Sequence, residues 1–216
     1  MPFEDMGWYN IGSGVAGALV GAVVTIITII RKFRVNSKKP ADDQKFSRIH
    51  TTIHERLSEL RVRMLADRAI IAQFHNGGYL ATGTSLRKFS VTHESTGLGF
   101  MPTIPNGTDQ VVSNFIYEMK MLTDDDPRIH SNDDLPPNTV PHKMHAALNV
   151  TSFASLPLYD TDGMNMIGFI KLMWVDNNDE PEEALDADRF FREQRDNIAI
   201  LLMDELARKT RPKAHT

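Results

Sequence analysis

Histidines are the side chains in this sequence best suited to chemistry, because its 216 residues include eight histidines and no cysteine. His75 directly precedes Asn76-Gly77-Gly78, a turn signal that places it at the end of a strand. If His93, His142 or His145 converged on it, these imidazoles would line a ligand pocket or hold a metal or haem. Sequence spacing does not show convergence, so a histidine satisfied by local hydrogen bonds is the alternative.

Two adjacent cations suggest an anion site near the same turn. Arg87 and Lys88 follow the Gly-Thr-Ser loop at 83–85, and backbone N–H groups beside cations can hold an anion. The Walker pattern is missing, because the loop has one glycine and the lysine lacks a Ser or Thr in register. A solvated loop is the alternative interpretation. The predicted ligand-binding residues are His75, Asn76, Arg87 and His93.

The sequence predicts neither a metal site nor an enzyme, and it identifies no cofactor. His50 and His54 are four residues apart, but the sequence places no third ligand and does not form HExxH. The run Asp124–Asp126 lacks the spaced ligands of an EF-hand loop. No Ser-His-Asp or paired-carboxylate arrangement follows from spacing. The absence of cysteine excludes thiolate metal sites and cysteine nucleophiles.

One apolar segment dominates the organisation of the chain. The twenty residues Ile11–Ile30 carry no charge, which matches the span of a bilayer core. The ten preceding residues hold two acids and no Lys or Arg, unlike a signal peptide. A buried core helix is the other alternative. A cationic flank predicts an outside N-terminus and a cytoplasmic domain; it consists of Arg31, Lys32, Arg34, Lys38 and Lys39.

Small residues on this predicted membrane helix indicate a homo-oligomer. Gly17 and Gly21 form GxxxG, and Gly14 and Ala18 extend the same face, which lets two helix backbones approach closely. The alternative is that these glycines simply reflect membrane-helix composition. The predicted partners are therefore the lipid bilayer, a second copy of the chain, and an unknown small molecule or protein. The net charge of −4 gives no reason to expect nucleic acid.

The remaining chain predicts one α+β domain, an antiparallel sheet flanked by helices. A basic linker (31–43) leads to an amphipathic helix (44–67), and a basic tail (210–216) follows the domain. Heptad spacing in the helix fits a coiled coil or packing on its own domain. Strands are expected at Arg68–Phe74, Lys88–Thr96, Thr151–Tyr159 and Met164–Val175, and further helices at 108–122 and from about 181 to 209.

Residues 44–209 resemble a GAF domain, with PAS domains as relatives of similar shape. The resemblance rests on Ser155–Tyr159, a turn with Gly163, and Ile167–Ile170. It implies a binding module that senses a small molecule or protein and relays the signal through its terminal helices. Cysteine-linked bilins and cysteine-dependent methionine sulfoxide reduction do not fit a chain without cysteine. The Asn-Lys-x-Phe-Asp-Glu signature of cyclic-nucleotide-binding members is absent.

Two functions follow as expectations. The first is a membrane-anchored cytoplasmic sensor or adaptor. The second is a membrane-tethered scaffold or assembly protein without a ligand, which would expose a large apolar patch and have a filled pocket. The phrase Phe74–Gly78 is similar to one in uncharacterised bacteriophage proteins, which would place the chain in the host inner membrane.

Overall fold

A six-stranded antiparallel sheet organises the part of the chain that the structure describes. The computed structural model describes residues 44–79, 85–125, 127–175 and 184–209. The chain divides into two units, Met1–Arg48 and Ile49–Thr216, and the sheet belongs to the second. Its six strands lie in the order β3-β2-β1-β6-β5-β4. The strands are β1 Arg68–Tyr79, β2 Ser85–Thr96, β3 Gln110–Val111, β4 His130–Ser131, β5 Ser152–Tyr159 and β6 Met166–Trp174.

Two long helices cover one face of the sheet. Helix α1 spans residues 44–63, and helix α4 spans Ala184–Lys209. Side chains of β1, β5 and β6 that point to this face form the main core with both helices. The core residues of α1 are spaced three and four apart, so one stripe of the helix is buried. They are Ile49, Ile53, Leu57 and Leu60, and Met64 just after the helix continues the stripe. The stripe therefore packs on its own domain, and a coiled coil through these same residues would require α1 to leave the sheet.

The opposite face carries shorter elements. Helix α2 spans Ile116–Thr123 and helix α3 spans Val140–Ala147. Strand residues alternate between faces, so the neighbours of the main-core residues pack here. They form two smaller apolar clusters with the α2–α3 layer, built around residues such as Ile70, Phe89, Phe115, Phe153 and Phe169. The predicted α+β class is confirmed.

Some boundaries differ from the predictions. The β5–β6 hairpin is confirmed, but the turn expected at Asn76-Gly77 is wrong, since β1 continues to Tyr79 and Asn76 pairs with Arg87. Gly78 has φ +104° and a register shift follows Asn76, so these residues form an irregularity within the hairpin. The helix expected over 108–122 begins only at Ile116, because strand β3 and a 3-10 turn occupy its first half.

The predicted membrane segment Ile11–Ile30, its interface residues Gly14, Gly17, Ala18 and Gly21, the linker 31–43 and the tail 210–216 lie outside the described residues. Within the described ranges, no helix has both the length and the apolar character needed to cross a bilayer.

Candidate functional site

A small cavity lies between the sheet and the α2–α3 layer. Its volume is about 50 Å³, which is room for a few water molecules. Most of its lining is apolar and comes from β1, β2, β6, α2 and α3. Three ionisable side chains also line it, namely Glu118, His145 and Lys171.

Strand geometry directs Lys171 toward this cavity. It lies within the apolar run of β6, where its neighbours Ile170 and Leu172 point into the main core. Because successive side chains point to opposite faces, the lysine is forced into the α2–α3 layer. Glu118 reaches the same point from α2 and His145 from α3. All three residues are at most 6% exposed.

Lys171 joins the other two groups by hydrogen bonds. Its Nζ donates to Glu118 Oε1 and lies 2.9 Å from His145 Nε2. His145 Nδ1 lies 3.0 Å from Asn132 Oδ1, an acceptor, so Nδ1 carries the ring proton and Nε2 accepts from the ammonium. The Lys171 ammonium also lies 4.9 Å from the centre of the Phe153 ring, within cation–π range.

The cluster has no net charge at neutral pH. Burial alone would raise the pKa of Glu118, but the Lys171 ammonium and the adjacent His145 together outweigh it, and the pKa falls to about 2. Burial and the same ammonium lower the pKa of His145 from 6.5 to about 4. The carboxylate and the ammonium are therefore both charged, and the imidazole is neutral. Such a site matches an uncharged or zwitterionic group.

The predicted ligand residues lie elsewhere. His75, Asn76 and Arg87 come together at the far end of the β1–β2 hairpin, where His75 Nε2 lies 2.9 Å from Ser90 Oγ and 3.7 Å from Asp109 Oδ1. Arg87 lies over the Phe74 ring. His93 points to the helical face and contacts His50. None of these four residues lines the cavity, so their role in binding stays a prediction.

Sequence reasoning overlooked two of the three cavity residues. Lys171 is the lone charge in the run Met166–Trp174, and a lysine inside a buried strand requires a partner. The sequence therefore indicates that Lys171 has a partner, but no spacing rule identifies Glu118, 53 residues away, as that partner. Among the described residues, no group of three or more His, Asp or Glu is arranged to hold a metal.

Acid is expected to weaken the fold through His145. Its pKa is about 4 in the native state and 6.5 when unperturbed, so the unfolded chain binds a proton that the native chain excludes. This stabilisation is complete above about pH 6.5 and is lost as the pH falls toward 4, at a cost of up to about 3 kcal/mol. Urea unfolding at pH 7.5, 6 and 5 measures the loss.

His145→Gln should reduce this pH dependence, since glutamine can still accept from Lys171 but does not titrate. The part that remains comes from His93, whose pKa burial also lowers from 6.5 to about 4. His142→Gln, on the same helix, is the matched control and should keep the wild-type slope. Equal slopes for all three proteins would show that His145 does not couple folding to protons.

Comparison with known proteins points to one fold. No family model matches the sequence, and no curated protein does. Solved structures do match. A GAF domain of a two-component sensor histidine kinase from Bacillus halodurans is 16% identical with TM-score 0.52, covering 74% of this chain and 95% of that one.

Two photoreceptor domains match similarly. The phycocyanobilin-bound GAF domain of a cyanobacterial phytochrome is 17% identical with TM-score 0.53, covering 78% of this chain and 95% of that domain. The PixJ GAF domain of Thermosynechococcus elongatus is 15% identical with TM-score 0.53, covering 76% of this chain and 90% of that domain. At these identities the likeness concerns backbone architecture alone. The described part of the chain therefore has a GAF-like fold.

Proposed function

We propose that this protein is a membrane-tethered sensor or adaptor module whose GAF-like domain binds a small molecule between the sheet and the α2–α3 layer. The buried Glu118–Lys171–His145 cluster is the observation that carries the proposal. Ionised groups are costly to bury, and this cluster opens onto a cavity where it can meet a ligand. Matched solved structures include a sensor kinase domain and a phycocyanobilin-bound domain, which supports a sensory role.

Charge balance restricts the ligand class. A single anion would compete with Glu118 for Lys171 and leave a buried carboxylate unpaired, which costs several kcal/mol. An uncharged polar or zwitterionic molecule avoids that cost. The cavity of about 50 Å³ admits only a few heavy atoms, so a larger ligand requires α2 and α3 to move outward. Cysteine-linked bilins do not fit, since the chain has no cysteine.

Strand β6 connects the cavity to the long helices. Lys171 faces the ligand site, while Ile170 and Leu172 on either side pack against the core that includes α1 and α4. A ligand that shifts Lys171 would therefore alter packing under both helices. This route matches a relay from the domain to a membrane dimer formed through Gly14, Gly17, Ala18 and Gly21.

The tether itself has a direct test. The full chain should sediment with membranes and resist alkaline carbonate, while a chain lacking residues 1–43 should be released. A full chain that carbonate extracts would contradict the tether. Protease accessibility of the C-terminal domain only from the cytoplasmic side would support the proposed orientation.

A scaffold without a ligand is the second candidate. It is favoured by the small volume of the cavity and by exposed apolar side chains in the loop after β2, where Leu98 is fully exposed and Met101 is 77% exposed. These side chains suit a protein partner. In this candidate, the buried cluster has a structural role only.

A thermal-shift screen on the full chain in detergent separates the two candidates. The panel contains zwitterionic amino acids, neutral polar metabolites, nucleotides and haem. A ligand at one hundred times its Kd adds about 2.7 kcal/mol, which should raise Tm by about 5–10 °C. The paired variant Glu118→Leu/Lys171→Met should lose the shift, whereas loss of the shift in His75→Ala would place the ligand at the end of the β1–β2 hairpin instead. No shift with any compound would favour the scaffold.

A further inference from the structure

The loop that follows β2 closes one side of the cavity between the sheet and the α2–α3 layer. It spans residues 97–109, and Thr103 and Gly107 within it line the cavity. Thr103 is 6% exposed, so the loop separates the cavity from solvent at this point. The other lining residues belong to β1, β2, β6, α2 and α3 or directly adjoin these elements.

Apolar packing contributes little to holding this loop in place. No described side chain of residues 97–107 belongs to the three apolar clusters of the domain. Leu98 is fully exposed, Met101 is 77% exposed and Ile104 is 36% exposed. Helix α2, by contrast, buries Leu122 in one of these clusters. A segment with few buried apolar contacts opens at lower cost than the elements around it.

Two side chains of the sheet hold the middle of the loop by polar bonds. Glu94 on β2 accepts from the Thr103 N–H at 2.7 Å, from Thr103 Oγ1 at 2.8 Å and from the Ile104 N–H at 3.0 Å. Arg68 on β1 donates from Nη1 to the Met101 carbonyl at 2.6 Å. The closed position of the loop therefore depends mainly on one carboxylate and one guanidinium.

An irregularity in β2 places Glu94 on the cavity face of the sheet. Strand β2 has one residue more than β1 between Val91 and His93. Val91 lines the cavity, and the strand alternates again after the extra residue, so Glu94 rather than His93 shares that face. Glu94 also pairs with Ile70, which lines the cavity from β1. The carboxylate that holds the loop thus belongs to the same sheet surface as the proposed ligand site.

The two ends of the loop are attached to the sheet independently of Glu94. The Gly97 N–H donates to the carbonyl of Asp67, just before β1, at 2.7 Å. The Val91 N–H donates to the Gly107 carbonyl at 2.9 Å. Residues 98–106 can therefore swing away from the cavity while both ends keep their backbone bonds.

We propose that residues 98–106 form a gate through which a small molecule enters the cavity, and that Glu94 is the positioning residue that keeps this gate closed. The inference rests on the proposed ligand site. It assigns entry to the gate, whereas movement of α2 and α3 only enlarges the cavity for a ligand that has already entered. Opening breaks the bonds to Glu94 and Arg68, and water then satisfies the N–H groups that they leave.

A single buried thiol measures this opening, because the chain has no cysteine. Val91→Cys places a thiol of similar size in the cavity lining, at a position that is 6% exposed. Its rate of reaction with iodoacetamide, measured on the full chain in detergent and divided by the rate for the unfolded chain, reports how often the cavity opens. A weak dependence of this rate on dilute urea identifies local opening, since global unfolding exposes far more surface.

Glu94→Ala is expected to raise the labelling rate of Val91→Cys by about tenfold or more, because hydrogen bonds to a charged group are lost. The N–H groups of Thr103 and Ile104 would then find water only in the open state. Glu94→Gln keeps one acceptor oxygen and should give a smaller rise, and it replaces the alanine variant if that one does not fold. Circular dichroism and urea unfolding establish that each variant is folded.

Asn132→Ala is the matched control on the α3 side of the cavity. It removes the acceptor of His145 Nδ1 and leaves the bonds of the gate intact, so labelling should stay close to that of Val91→Cys alone. Equal labelling with and without the Glu94 carboxylate, or a rise only in Asn132→Ala, overturns the gate. Labelling needs no ligand. A thermal-shift screen without any response would therefore contradict the ligand site, while the Glu94 effect would still establish the gate.

Discussion

Replacing Lys171 with methionine is expected to lower the free energy of unfolding by about 3–5 kcal/mol. The substitution keeps the length and apolar stem of the side chain but removes the ammonium that pairs with Glu118. Glu118 is 5% exposed, so its carboxylate would stay buried without a cation or would have to take up a proton. Urea unfolding at pH 7.5 measures the loss.

The paired variant Glu118→Leu/Lys171→Met distinguishes pairing from packing. Removing both charges leaves no uncompensated ion, and a buried ion pair can often be replaced by apolar groups at little cost. We therefore expect the paired variant to be much more stable than Lys171→Met alone. Glu118→Leu alone completes the comparison. If the stability losses of Lys171→Met and Glu118→Leu simply add in the paired variant, the energetic coupling between Glu118 and Lys171 is absent.

Gly168→Ala is expected to disrupt the sheet, at a cost of about 3 kcal/mol or more. A Cβ at Gly168 would lie 2.1 Å from the carbonyl oxygen of Ala72 and 3.1 Å from Gln73 Cα. Both are backbone atoms of β1, which pairs with β6 at this point. The clash cannot be relieved by rotating a side chain, so the two central strands would have to separate.

Gly163→Ala is the matched control on the same hairpin. Gly163 has φ +67°, and a Cβ there meets nothing within 4 Å. Alanine should cost only about 1 kcal/mol, for the left-handed backbone. Circular dichroism and urea unfolding of the two variants give the comparison. Similar stabilities would show that close approach at Gly168 is not required.

The close approach of Gly168 to the backbone of β1 explains why the sequence has a glycine at this position. The motif Ile167–Ile170 indicated a GAF-like hairpin by resemblance alone, and the structure shows that a close backbone contact requires its glycine, Gly168. The hairpin and the buried stripe of α1 were predictable because their periodicity is local. Successive residues of the α1 stripe lie one helical turn apart, and the residues that set the hairpin lie in two consecutive strands.

Features that depend on distant contacts were not predictable. The Asn76-Gly77 pair has strong turn propensity, but pairing with Arg87 extends β1 through it. Strands β3 and β4 have two residues each and exist only through their neighbours. Likewise, Glu118 and Lys171 meet because two elements far apart in the chain pack together, so no spacing rule could find the cluster. The α+β class could be predicted without knowledge of any of these contacts.

Pro157 has a consequence for how the sheet meets other chains. Strand β5 pairs along its length with β6, while on its other side β4 pairs only with Ser152 and Phe153. The rest of β5 is therefore an edge without a further strand among the described residues. Proline has no N–H to offer an incoming strand, and a proline on an edge opposes aggregation and strand addition. Addition of a strand from another chain is thus hindered along the otherwise unpaired edge of β5.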